Sequence, residues 1–216
     1  AATLLPTAPT AVTVSPAAAG RMTLAWRAPL NSAVSSTGTS VVVTSYEYRS
    51  AFTSNSGSRW SGYAPAVTLL ATSGRQAVPC SAPLAAGGGC RYVLAARSAA
   101  GIGAWTAPTT AIWAPPSAPR KPIVVGRHGA HVASVSWKTP TVSGGLPLKD
   151  TLAQVSTDGG VTWSAKIESL APAYTTSAFV LPATCETNSE CRVRLYALNA
   201  AGRSTPTLPA QIQWRS

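Results

Sequence analysis

The residues able to carry chemistry are few and scattered. Six carboxylates serve 216 residues, and His128 and His131 are the only imidazoles. A hydrolytic enzyme needs a nucleophile with a base, a carboxylate pair or a metal. No G-x-S-x-G occurs, and the stretch around His128 and His131 holds no Cys, Asp or Glu to complete a metal site. The run Gly87, Gly88, Gly89 is followed by neither a Lys-Ser/Thr pair nor a helix pattern, so it reads as loop slack and not as a phosphate cradle. The sequence therefore predicts no catalytic residue, no metal and no cofactor.

The four cysteines carry a clearer message. They fall as Cys80 with Cys90 and Cys185 with Cys191, each pair just before and at the start of a repeated segment. Residues 90–101 read CRYVLAARSAAG and residues 191–202 read CRVRLYALNAAG. Four cysteines allow three connectivities, and the repeat supports one bridge per copy. Neither pair has the CxxC-type spacing of a structural zinc site. Local bridges point to an oxidising compartment, hence secretion or surface display. Loops this short contribute roughly 2–3 kcal/mol each.

The remaining candidates are arginines and aromatics. The net charge of +11 is spread over the chain: residues 1–115 hold seven Arg and one acid, Glu47, while residues 116–216 hold ten basic and five acidic side chains. Such a surface attracts polyanions in a salt-dependent way, but without a cluster a basic, soluble surface is the favoured reading. Of the seven Trp, Trp26 and Trp137 belong to cores by their alternating neighbours. An exposed Trp beside Arg59 or Arg49 would stack on a sugar or a base, which makes Arg49, Arg59, Trp60 and Trp105 the binding candidates. Packing of these rings at strand edges is the competing structural explanation.

The elements that must position them are strands. In residues 191–198, Cys191, Val193, Leu195 and Ala197 alternate with Arg192, Arg194, Tyr196 and Leu198, and residues 90–97 alternate likewise. Side chains on a strand point to opposite faces in turn, so each copy buries one set. No window carries the 3.6-residue apolar period of a helix, and no apolar run approaches the roughly 20 residues of a membrane span. Tight turns with Asn or Asp and Gly are read in two matched hairpins, Thr53-x-Asn55-x-Gly57-x-x-Trp60 and Ser156-x-Asp158-x-Gly160-x-x-Trp163. They resemble the Asp-box of propellers, but the repeat here is domain-sized. The expected organisation is a linker-like tail at 1–8, a first β domain at 9–114, a proline-rich linker at 115–122 and a second β domain at 123–216. The linker, APPSAPRKP with its flanking Ala114, favours extended polyproline II.

Each half resembles a fibronectin type III domain of the bacterial secreted kind. The resemblance rests on Trp26 with Pro29, Trp137 with Pro140, the Tyr46-x-Tyr48 strand, and the endings Ala96-x-Ser98-x-x-Gly101 and Ala197-x-Asn199-x-x-Gly202. It implies an all-β chain of two consecutive seven-stranded immunoglobulin-like β-sandwiches. Two departures follow from it. Cys90 and Cys191 stand where the family usually has an anchoring Tyr, so the bridge is expected to replace that anchor. Leu152 and Gln154 are expected where the first copy has Tyr46 and Tyr48.

The resemblance also implies a non-catalytic binding or spacer module of a secreted or surface-anchored protein, a fold-level analogy. The Arg-over-Lys, Ala- and Pro-rich composition points to a high-GC bacterium. Alternatives are glycan-gripping accessory domains of a secreted polysaccharide hydrolase, or a basic surface for anionic cell-wall polymers. The expected partner is a protein or glycan, with no specific nucleic acid, and the piece is expected to be monomeric and part of a longer chain.

Overall fold

The structure is a computed structural model that describes residues 4–17, 20–32, 41–69, 74–170 and 175–215. The chain divides into two compact units, Ala1–Trp113 and Ala114–Ser216, here domains 1 and 2. The Ser/Thr/Gly loop read at residues 30–40 falls largely outside the described residues; its start, Leu30–Ser32, is a single 3-10 turn.

Domain 1 contains β1 (Thr10–Pro16), β2 (Arg21–Arg27), β3 (Ser45–Thr53), β4 (Val67–Leu69), β5 (Arg75–Pro79), β6 (Gly89–Ser98), β7 (Gly101–Ile102) and β8 (Thr109–Ile112). One sheet has the order β1-β2-β5; the other runs β4-β3-β6-β7, with β8 also paired to β6. Their inner faces supply the core: Met22, Leu24 and Trp26 from β2, Tyr46 and Tyr48 from β3, and Tyr92, Leu94 and Ala96 from β6. Trp26 meets Tyr46 edge-on at 5.2 Å between centroids, the arrangement the ring quadrupoles favour.

β7 and β8 are two pieces of one interrupted last strand. Between them Gly103 and Thr106 donate their backbone N–H groups to Ala96 and Leu94 at 2.8 and 2.9 Å. The Thr106 hydroxyl in turn accepts from the Leu94 N–H at 3.0 Å. A side-chain oxygen thus stands in for a ladder carbonyl, so the buried Leu94 amide is not orphaned. Counting the pair as one strand gives the seven that the sandwich requires. The interruption matters because it carries Trp105.

Domain 2 repeats the plan with β9 (Arg120–Arg127), β10 (Val132–Lys138), β11 (Leu148–Ser156), β12 (Glu168–Ser169), β13 (Thr176–Val180), β14 (Arg192–Asn199), β15 (Gly202–Arg203) and β16 (Ala210–Arg215). Here β16 joins the two layers. It pairs with β14 through Ala210 and Gln211, then runs parallel to β9 from Ile212 to Arg215. The interrupted last strand recurs, with Ser204 and Thr207 hydroxyls accepting from Ala197 and Leu195 N–H groups, each at 3.0 Å.

The register corrects one expectation. Tyr46 and Tyr48 lie opposite Ala96 and Leu94, and the residues opposite Ala197 and Leu195 in domain 2 are Thr151 and Ala153. The counterparts of the two tyrosines are therefore Thr151 and Ala153, not Leu152 and Gln154. A one-residue slip exchanges the faces of a strand, so Leu152 and Gln154 belong to the outer face.

The two lead-in segments are not free. Asn31 holds residues 5–7, donating to the Leu5 carbonyl at 3.0 Å and accepting from the Thr7 N–H at 2.9 Å. In domain 2, Ala114 and Ser117 donate to Gly144 and Val142 at 3.0 and 2.9 Å. Asn199 donates to Ala114 and Ser143 carbonyls, both at 2.8 Å. Pro116 and Pro119 are buried, and β9 begins at Arg120. Most of the stretch read as a spacer at 115–122 is thus built into domain 2.

Candidate functional site

Both disulfides are in place, Cys80–Cys90 and Cys185–Cys191. Their relation to the expected tyrosine anchor differs between the domains. In domain 1 the Tyr92 hydroxyl, two residues on, donates to the Pro79 carbonyl at 2.8 Å, beside Cys80. The bridge supplements a phenolic anchor there. Domain 2 has Val193 at the matching position, so only there does the bridge replace it.

The two hairpins are built identically. In domain 1 the Thr53 hydroxyl accepts from the Gly57 N–H at 3.1 Å, and Asn55 Oδ1 accepts from the Arg59 N–H at 2.9 Å. In domain 2 the Ser156 hydroxyl accepts from Gly160 at 2.8 Å, and Asp158 Oδ1 accepts from the Thr162 N–H at 2.8 Å. Gly57 and Gly160 have φ of +87° and +100°, a region that L side chains rarely adopt. Each turn folds its Trp ring back onto that glycine, to 3.4 Å for Trp60 and 3.5 Å for Trp163 from where a Cβ would stand.

Asp158 also takes a hydrogen bond from the Thr162 hydroxyl. That bond, the Thr162 N–H and the Ser156 hydroxyl hold its carboxyl down to about 2. A carboxylate depressed in the folded state contributes stability that is complete above the unfolded value, about 3.9. That contribution is lost as pH falls through about 2. A carbon-detected NMR titration of Asp158 should find its midpoint near 2. A midpoint at the ordinary Asp value would mean the hairpin does not hold the carboxylate.

Above each hairpin Trp lies an arginine. Arg91 of β6 sits 5.0 Å from the centroids of both Trp60 and Tyr63. Arg194 of β14 sits 4.1 Å from Trp163. Arg49 of β3 lies 4.6 Å over Trp105, which the interrupted last strand projects across the sheet. These are cation–π distances. The structure thus brings Arg49 and Trp105 together and pairs Trp60 with Arg91. Arg59 is exposed; with Trp60, Asn55 and Phe52 it lines an open hollow of about 230 Å³ on the hairpin.

Arg91, Tyr63, Arg194, Gln154 and Tyr196 were missed by the sequence reading. Strand alternation did place Arg91 and Arg194 on outer faces, but nothing local says which distant ring each arginine meets. The histidines are also partnered from afar. His131 Nδ1 lies 3.3 Å from Glu186 Oε1, and His128 stacks on Trp214 at 5.2 Å. Among the described residues no three His, Cys, Asp or Glu side chains converge as a metal site would.

No protein-family model matches the sequence, and no curated protein matches it. Solved structures do. A segment of two fibronectin type III domains from chicken tenascin aligns with a TM-score of 0.52 at 13% identity, over 95% of this chain and 99% of that one. The FN1–FN3 domains of chicken CNTN1 align with a TM-score of 0.38 at 17% identity, over 98% of this chain and 69% of that one. The fold is that of tandem fibronectin type III domains. At 13% identity the tenascin likeness speaks of fold alone. Fibronectin type III domains are in general non-catalytic, and the role of this pair rests on its own surface. No helix among the described residues is long and apolar enough to cross a membrane.

Proposed function

We propose that this chain is an extracellular, non-catalytic binding and spacer module of a secreted or surface-anchored bacterial protein, and that it binds through the outer β3–β6 face of domain 1. The observation that carries the proposal is the set of arginines laid over Trp105, Trp60 and Tyr63 on that face. Tyr63 is 38% exposed. Partly exposed rings with oriented cations are the parts a glycan or protein hot spot uses. The disulfides support an oxidising compartment.

The test is a glycan and polyanion array probed with the full chain at low and physiological salt. Binding that persists at about 0.15 M salt and falls at least tenfold on Trp105→Ala or Trp60→Ala is the expected result. Weak, uniform signal that vanishes with salt would leave the pair as a spacer only.

A further inference from the structure

The two domains present the corresponding sheet face with its arginines placed differently. In domain 2 the in-plane edge of Arg194 is consumed internally: Nε and Nη2 donate to Gln154 Oε1 at 2.9 and 2.7 Å. The Tyr196 hydroxyl donates to the same oxygen at 3.0 Å. By register, Gln154 lies opposite Arg194 as Arg49 lies opposite Val93. Domain 1 therefore has a cation, Arg49, where domain 2 has the neutral acceptor, while Arg91 corresponds to Arg192, which donates to the Ser189 and Cys191 carbonyls at 2.6 and 2.9 Å.

Arg49 faces Val93 and Arg91 faces Ala51, so the two arginines are diagonal neighbours on one face, their Cα atoms about 7–8 Å apart. Among the described residues neither has a carboxylate partner. Glu47 is the only acid in residues 1–113, and Arg97 Nε holds it at 2.6 Å. Arg91 Nε is buried with no hydrogen-bond partner, which leaves its two terminal amino groups as the donors an anion can reach. A guanidinium stacked on a ring is fixed in orientation, and its donors all lie in its plane. Two such cations side by side repel one another until an anion bridges or pairs them. Planar carboxylates fit those edges two bonds at a time.

We infer that the β3–β6 face of domain 1 binds a carboxylate-bearing polysaccharide of the uronate type, Arg49 and Arg91 each taking a carboxylate edge-on while Tyr63 packs against sugar. The inference rests on the binding-module reading and adds the ligand class. Nucleic acid fits less well, since base stacking needs bare rings and Trp105 and Trp60 are already covered by arginine.

The experiment is calorimetric titration of the full chain with polygalacturonate at physiological salt, alongside neutral dextran, poly(glycerol phosphate) and duplex DNA. Arg49→Gln and Arg91→Gln are each expected to weaken polygalacturonate binding about tenfold or more, the loss of a charge-assisted hydrogen-bonded pair. Arg49→Lys should recover only part of it, because an ammonium has no fork. Arg27→Gln removes the same charge from the other sheet and should change binding less than about twofold, since exposed charges at a distance are screened. Should Arg91→Gln fail to give a native near-UV circular dichroism spectrum, Arg49→Gln and Arg91→Lys carry the test. Equal loss on Arg27→Gln, tighter binding of DNA or poly(glycerol phosphate), or no binding of polygalacturonate would each overturn the inference. Binding of dextran that depends on Trp105 but not on Arg49 would overturn the carboxylate while leaving the binding module standing.

Discussion

Trp137→Ala is expected to lower the unfolding free energy of domain 2 by about 3–5 kcal/mol. Trp137 is 5% exposed and belongs to a core whose other large members are Phe179, Leu170, Leu181, Leu195 and several valines. The positions filled by Tyr46, Tyr48 and Tyr92 in domain 1 are Thr151, Ala153 and Val193 here. Few rings share the load, so removing the largest leaves a cavity that small neighbours cannot fill. At roughly 4–8 °C per kcal/mol for a domain of this size, the melting temperature should drop by about 12 °C or more. Hydrogen exchange of peptides covering Arg192–Asn199 in a urea series would isolate domain 2 from the Trp-rich remainder. A change below about 1 kcal/mol, typical of a surface substitution, would mean that this ring does not organise the core.

Replacing each cysteine pair by alanine should cost about 2–3 kcal/mol in its own domain. The contrast between domains is more informative than the size. The bridges close loops with sequence separations of 10 and 6, and loop entropy alone makes the domain 1 bridge the larger by a few tenths of a kcal/mol. Domain 1 keeps the Tyr92 hydroxyl on Pro79, a bond of about 1 kcal/mol, when its bridge is gone. Domain 2 keeps no tyrosine there. After Cys185→Ala with Cys191→Ala, exchange should therefore speed most in residues 181–191, whereas Cys80→Ala with Cys90→Ala should leave residues 79–80 comparatively protected. Adding Tyr92→Phe to the domain 1 pair should remove that protection. If it does not, the phenol is no anchor.

Much of this molecule was legible without a structure. The alternation of Cys191, Val193, Leu195 and Ala197 with their neighbours fixes a strand and its buried face, because the side-chain period of a strand is a local property. The repeat at residues 90–101 makes that one strand into two domains, and it pairs the cysteines without ambiguity. The hairpins at Asn55 and Asp158 were equally readable, since their hydrogen bonds close within a few residues.

The candidate site was only half legible, for a physical reason. Arg49, Trp60 and Trp105 could be selected by type, but sequence proximity suggested Arg59 for Trp60, and the ring meets Arg91. Cross-strand neighbours are set by register, a cooperative property of two whole strands, and one residue of slip moved Gln154 from an expected core site to the outer face. By itself, then, the sequence determined strands, repeat, bridges and turns, all of which close over short stretches or recur. Only the tertiary structure decided which arginine covers which ring, that the proline-rich segment belongs to domain 2, and that Gln154 satisfies Arg194 while Arg49 and Arg91 have no such acceptor, because those pairings join residues from about 30 to 85 apart in the chain whose meeting depends on the register of entire sheets.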